Sequence, residues 1–275
     1  MFTFIDSIED LAFLNKELLN KPYVGVDTEF RRTTKDNMKL ALLQINDDDE
    51  IYLIDTILIN DPKENASFLF SDSVTKIFHS CKEDLEAVYS WTDQIMQNIF
   101  DTQIANSFIN NDYSIGYQGL VQRELGIVLD KKETRSNWIR RPLSDEQLKY
   151  AALDVEYLIH LYIEQVEELS TSSKLDWHNQ EIQKLIKNTF NPTFEFEELR
   201  RIISKAEENE LLYKFNNIVV EIAARENINP TLFFSKKFQK DFLRLVYLQG
   251  LDVACEQITP WRKELIREGL LDLLK

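Results

Sequence analysis

Apolar residues recur at helical spacing between residues 7 and 20, where Ile8, Leu11, Leu14 and Leu18 fall on one face. Ser7 and Asp10 supply a variant capping box at the start of this predicted helix. The pattern then changes to short β-rich runs at Tyr23–Phe30, Leu40–Asn46 and Ile51–Asp55. The acidic turn Asp47-Asp48-Asp49-Glu50 joins the last two, which predicts a hairpin. Lys76–His79 predicts a fourth strand, followed by a helix over Lys82–Trp91. Ile99-Phe100 predicts a fifth strand, with Asp101 capping the next helix. Helical periodicity dominates thereafter. Strands and helices mixed in this order predict an α/β domain with a central, partly antiparallel sheet.

The texture shifts around residues 189–193. Asn188-Thr189-Phe190-Asn191-Pro192-Thr193 predicts a linker and a helix start. From Phe194 onward only helical spacing remains, as in Leu211, Leu212, Phe215, Ile218, Val219 and Ile222. Asn229-Pro230 ends this run and opens a short helix, and Gly250 and Pro260 punctuate the rest. The division predicted is a domain over residues 1–190 and a small all-α domain over 191–275.

Composition adds little to this picture: 44% hydrophobic and 29% charged residues suit a soluble globular chain. Six glycines and six prolines argue against low-complexity tracts. The segment MFTFIDSIED carries acids where a secretory leader needs a basic start. No apolar run approaches the ~20 residues of a membrane span. Cys81 and Cys255 lie far apart and suggest neither a disulfide framework nor a zinc spacing. A cytoplasmic setting without membrane partners is the expectation.

Charge changes the picture more. The net value of −15 argues against tight, non-specific nucleic-acid binding. It is concentrated in residues 1–190, with 33 acids against 19 bases, whereas residues 191–275 hold 14 against 13. The bases gather in three clusters. These are Arg31, Arg32, Lys35 and Lys39; Lys131, Lys132, Arg135, Arg140 and Arg141; and Lys236, Lys237, Lys240 and Arg244. Each reads either as solvated surface charge or as the basic rim of a cleft.

The acids carry the candidate chemistry. Alternation along Val24-Gly25-Val26-Asp27-Thr28-Glu29-Phe30 places Asp27 and Glu29 on one face of a strand. Two adjacent carboxylates repel and lose hydration unless protons or cations compensate. Hard divalent ions such as Mg²⁺ or Mn²⁺ take such oxygen ligands; an exposed polar strand end is the alternative. Tyr150 and Asp154, four residues apart, share one helix face. Asp84 falls in the first turn of the helix after Lys76–His79, where a carboxylate is also a favourable N-terminal residue.

Taken together, these segments resemble the DEDD superfamily of 3′→5′ exonucleases, its tyrosine subgroup, and within that the ribonuclease D family. The resemblance rests on Asp27-Thr28-Glu29-Phe30, the His79-to-Leu85 segment, Asp101-Thr102-Gln103, Arg141-Pro142-Leu143 and the run from Tyr150 to Leu158. It implies a ribonuclease H-like mixed sheet flanked by helices. It also implies hydrolysis of the terminal phosphodiester of RNA with two divalent ions, Mg²⁺ or Mn²⁺. Asp27 would touch both ions, Glu29 and Asp154 the first, Asp84 the second, and Tyr150 would orient the attacking water. The implied partner is a single-stranded RNA 3′ end, with transfer-RNA precursors as the suggested source. Thr28, Phe30 and His79 are candidate substrate contacts; Phe30 reads equally as a core residue, and His79 as a satisfied histidine at a strand end. Pro260-Trp261-Arg262-Lys263-Glu264-Leu265 resembles the helicase-and-RNase-D C-terminal type of module, present here once. A DNA exonuclease of the same chemistry and a catalytically silent RNA-binding protein are the competing readings.

Overall fold

The computed structural model describes residues 2–34, 37–60, 62–110, 114–129, 136–191 and 203–274. Lys35, Lys131, Lys132, Arg135, Pro192, Thr193 and Phe194, all singled out above, lie outside the described residues. The chain divides into two compact units: Met1–Gln103 with Ile115–Glu167, and Ile104–Ser114 with Glu168–Lys275.

The first unit is built on strands β1 (Phe2–Ile5), β2 (Tyr23–Thr34), β3 (Asn37–Asn46), β4 (Ile51–Ile54), β5 (Thr75–Phe78) and β6 (Ile99–Asp101). They form one sheet in the order β1-β4-β3-β2-β5-β6. β2, β3 and β4 pair antiparallel, while β1–β4, β2–β5 and β5–β6 pair parallel. The sheet is therefore mixed, as expected. β3 is central, and its run from Leu40 to Asn46 is buried throughout. Such a buried run, apolar except at Gln44 and Asn46, suits a strand covered on both faces.

Helices α1 (Ile8–Leu18), α2 (Lys82–Thr92), α3 (Thr102–Ile109), α4 (Tyr117–Leu125), α5 (Asp145–Glu156) and α6 (Leu158–Thr171) follow in chain order. α1 starts as predicted at Ser7, whose hydroxyl accepts from the Asp10 N–H at 3.1 Å. The Asp10 carboxylate accepts from that hydroxyl at 2.6 Å. Asp101 caps α3 by accepting from the Gln103 N–H at 2.8 Å.

Four expectations change. Strand β1 is unanticipated: four residues pair only along β4, too short for an alternating signal. β2 and β3 run on to Thr34 and back from Asn37, because the polar ends pair with each other where the sequence suggests a loop. The helical spacing of Leu148, Ala151, Val155, Leu158 and Ile159 predicts one helix, which instead breaks at Tyr157. Asn188–Phe190, read as linker, form the last turn of a helix.

The second unit contains α7 (Leu175–Phe190), α8 (Lys205–Arg225), α9 (Pro230–Phe234), α10 (Lys236–Gln249), α11 (Leu251–Cys255) and α12 (Pro260–Leu273). It has no strand among its described residues. Asn229 opens α9 by accepting from the Thr231 N–H at 2.7 Å. Trp261 anchors this core, stacked on Trp177 at 4.9 Å and edge-on to Phe108 at 5.4 Å. Beside it, buried Arg262 donates to the carbonyls of Phe233 and Leu232, to Thr259, and to the Glu181 carboxylate. Cys81 and Cys255 are both free and buried. No helix among the described residues is long and apolar enough to cross a membrane.

Candidate active site

Strand β2 passes between two helices and sends alternate side chains to each. The face toward α5 is marked by Gly25: a Cβ there would lie 3.3 Å from the Val155 carbonyl and 3.2 Å from Leu158 Cβ. Glycine at this position lets the chain approach that closely. By strand alternation Asp27 and Glu29 share this face. Asp154 of α5 meets them there, and ligand oxygens of the three acids lie within 4.8 Å of one another. All three are half-buried, so a small ion can reach them.

Thr28 points the other way. Its hydroxyl donates at 2.5 Å to Asp84, in the first turn of α2. Two residues of the same parity further on, Arg32 pairs with Glu86 and, at 3.7 Å, with Glu83. α2 is thus tied to the edge of β2 at two heights. Its start is fixed independently by Asp101, which accepts from the Ser80 and Cys81 N–H groups at 3.1 and 2.7 Å. Asp84 is buried and stands outside the three-acid nest, yet its charge acts on Asp27 more strongly than that of any other acid.

The electrostatics follow from this crowding. Burial, then the charges of Asp84, Asp154 and Glu29, hold the Asp27 carboxyl well above the usual carboxylate range. Burial, with Asp154 and Asp84 adding, pushes Glu29 up to about 9. Burial raises Asp154 to about 7 against the opposing hydrogen bond from Tyr150. It raises Asp84 to about 7 against that from Thr28. The donor set is all oxygen, crowded and strongly under-compensated, which fits hard divalent cations. Tyr150 donates its phenol to Asp154, and burial with the surrounding acids raises its pKa, so it stays protonated.

The helix carrying Tyr150 and Asp154 is fixed at both ends. At its start Ser144 and Gln147 form a reciprocal capping box. At its end the Tyr117 hydroxyl donates to the Leu153 carbonyl at 3.2 Å and accepts from the Tyr157 N–H at 3.0 Å. That carbonyl and N–H are the pair an uninterrupted helix would join directly. The inserted phenol is the reason α5 ends where it does. Asn46 takes two further end carbonyls, Val155 and Glu156, each at 3.0 Å. The Tyr150 ring rests on Trp138, with centroids 6.2 Å apart. The loop bearing Trp138 is held by Arg141, which donates to Asp55 at 2.5 and 2.8 Å, to the Trp138 carbonyl at 2.6 Å and to Ala41 at 2.7 Å. Ala41 is the residue skipped where the β2–β3 register shifts just past Glu29.

The structure therefore brings Asp27, Glu29, Tyr150 and Asp154 together, with Asp84 adjacent through Thr28. Thr28, considered as a substrate contact, instead spends its hydroxyl on Asp84. His79 is likewise engaged internally: Nδ1 meets Thr102 at 2.9 Å and Nε2 donates to the Ile115 carbonyl at 3.0 Å. Burial lowers its pKa, consistent with a neutral ring that holds the approach to α4. Phe30 is half-buried at the outer part of β2, paired with Leu40. Of the basic clusters, Arg32, Arg141 and Arg244 each pair with an acid of their own unit, the last with Glu208 at 2.6 Å. Nothing local in the sequence marks Tyr117, Asn46 and Asp55, whose partners lie tens of positions away.

Acids clustered on β2 of a mixed sheet and on the flanking helix α5 make a site suited to divalent cations. The family model described as 3′-5′ exonuclease matches residues 2–169, and the chain belongs to that family. Among curated relatives, ribonuclease D of Shewanella sp. (strain ANA-3) is 36% identical over 185 residues, covering 67% of this chain and 48% of the relative. The chain thus spans about half the length of the curated relatives it matches. The solved structure of Escherichia coli RNase D, described as an exoribonuclease involved in structured RNA processing, superposes with a TM-score of 0.67 at 24% identity. That match covers all of this chain and 74% of the other. Brucella melitensis NrnC with bound Mg²⁺ gives a TM-score of 0.58 at 23% identity, over 74% of this chain and 98% of that one. The last two establish likeness of fold.

Proposed function

We propose that this chain is a 3′→5′ exoribonuclease that removes nucleoside 5′-monophosphates from a single-stranded RNA 3′ end. The observation that carries the reading is the nest formed by Asp27, Glu29 and Asp154, with Asp84 beside it and Tyr150 bonded to Asp154. In an acidic chain, carboxylates raised this far are unfavourable unless something offsets them. Asp27 and Asp84 on one side, and Asp27, Glu29 and Asp154 on the other, would hold two divalent cations, Mg²⁺ or Mn²⁺. Bound there, these ions supply Lewis-acid stabilisation of the phosphodiester's charge and make water a better nucleophile.

The chain's own groups do the rest. Tyr150 donates its hydrogen bond to Asp154, which leaves the phenol oxygen free to accept from the attacking water and orient it. With its pKa raised it stays a neutral phenol, so it acts by position and not as a base. Thr28 holds the Asp84 carboxylate, and Trp138 fixes the plane of Tyr150. RNA as the polymer rests on likeness to ribonuclease D, and transfer-RNA precursors are the substrate class we favour. The helical region from residue 191 would serve as a single RNA-gripping module beside an exonuclease domain over 1–190.

The test is to incubate 5′-labelled single-stranded RNA and DNA with the protein and Mg²⁺ or Mn²⁺, with chelator and Asp27→Asn as controls. Stepwise shortening of RNA from its 3′ end, abolished by chelator and by Asp27→Asn, is expected. Equal or faster shortening of DNA would move the assignment to a DNA exonuclease. Retained RNA binding without cleavage under any metal would make the protein a silent binder.

A further inference from the structure

One amide in the first unit lacks what a buried amide requires. Gln44 sits in the middle of β3 with no exposed surface. Among the described residues, neither its Nε2 nor its Oε1 has a hydrogen-bond partner. Buried polar groups are seldom left unmet, and those that are usually await a ligand, an ion or a water.

The sheet register says which group is within its reach. Gln44 is paired with Asp27 across β2–β3. Directly opposed residues point to the same face, with Cβ atoms about 4.5–5.5 Å apart. That face is the one beneath α5, because the next equivalent pair, Gly25 and Asn46, both meet the end of that helix. On its other flank Gln44 is paired with Leu53, which packs with Trp138 and Ala151 and offers no polar side chain. Asp27 is thus the polar side chain of this cross-strand row.

We infer that Gln44 is a positioning residue for Asp27: with divalent cations in the site, its Nε2 donates to the Asp27 carboxylate and holds it in the orientation that serves both ions. The inference rests on the reading of Asp27 as an ion ligand. It explains why a polar residue sits within the apolar run Leu40–Ile45 of β3.

Isothermal titration of Mn²⁺ into cation-free protein tests it, with thermal melting of the same samples. Gln44→Met keeps length and bulk while removing the amide, and Gln44→Leu makes the same deletion with a different shape. The wild type should bind Mn²⁺ and Asp27→Asn should lose the binding. Gln44→Met should bind about 10-fold more weakly, as when an outer partner of a ligand is removed. Its cation-free melting temperature should equal or exceed that of the wild type, because an unmet amide has been replaced by an apolar group. Wild-type Mn²⁺ affinity in either folded Gln44 variant would overturn the inference. A wild type that binds no Mn²⁺ would instead overturn the ion site itself, a result separable from the first.

Discussion

The helical unit and the three-acid nest of the sheet unit both hold buried or half-buried carboxylates, and they treat them in opposite ways. In the helical unit Glu181 lies against Arg262 and accepts from the Trp261 indole N–H at 2.7 Å, which lowers its pKa despite burial. In the sheet unit Asp27, Glu29 and Asp154 are surrounded by other acids, and all are raised. A paired buried acid is part of a scaffold; breaking the pair leaves an uncompensated charge. A cluster of raised acids is a site waiting for positive charge. On the function proposed, the same residue type serves structure in one place and chemistry in the other, and its neighbours decide which.

Asp27→Asn should break the comparison most severely. RNA shortening should fall on the order of 10³-fold or more, since an ion ligand shared by the whole site is lost. The folded state should survive, as circular dichroism would register. Glu181→Ala tests the other side: it leaves Arg262 buried without its carboxylate. A loss of about 3 kcal/mol is expected in urea unfolding of the helical unit.

Much of the site is legible in the sequence because it obeys local periodicity. Asp27 and Glu29 share a face by the two-residue repeat of a strand, and Tyr150 and Asp154 by the four-residue step of a helix. Asp84 is different: its place is set by Thr28, 56 residues away, and no local pattern contains that contact. The hairpin of β3 and β4 is readable from its acidic turn, whereas β1 gains its identity only by pairing with β4. Gln44 lies hidden in an apolar run. The break at Tyr157 is invisible for a further reason, because the group that causes it, the Tyr117 hydroxyl, arrives from another helix.

That break gives the next prediction. Tyr117→Phe removes the inserted hydroxyl and lets the Leu153 carbonyl and Tyr157 N–H seek each other, which shifts the last turn of α5 and with it Asp154. Activity at limiting Mn²⁺ should drop about 10-fold, with partial recovery at saturating ion. A change in melting temperature without any change in the Mn²⁺ requirement would contradict it. The smallest effect expected is a gain. Glu29, raised to about 9, stays largely protonated in the cation-free fold at pH 8 while the unfolded chain ionises it, which costs the fold stability, so Glu29→Gln should melt higher than wild type at pH 8 by about 2–4 °C. The variants' difference is the proper readout, because buried Lys76, lowered to about 7, contributes with the opposite sign.

The pH dependence of ion binding tests the contrast between the units most directly. Raised acids favour the fold when protonated, so the cation-free sheet unit loses stability as pH climbs from the ordinary carboxylate range to about 7 for Asp84 and Asp154 and on to about 9 for Glu29. Glu181, being lowered, contributes stability that is lost only as pH falls below the ordinary carboxylate range. Mn²⁺ competes with protons at the first cluster and has no role at the second. The decisive measurement is the rise in melting temperature produced by Mn²⁺ at pH 6 and at pH 8, in wild type and in Asp27→Asn. A rise that is larger at pH 8 and absent from Asp27→Asn is the result expected. A rise of equal size at both pH values, or one retained in Asp27→Asn, would contradict the assignment of these carboxylates as the ion site.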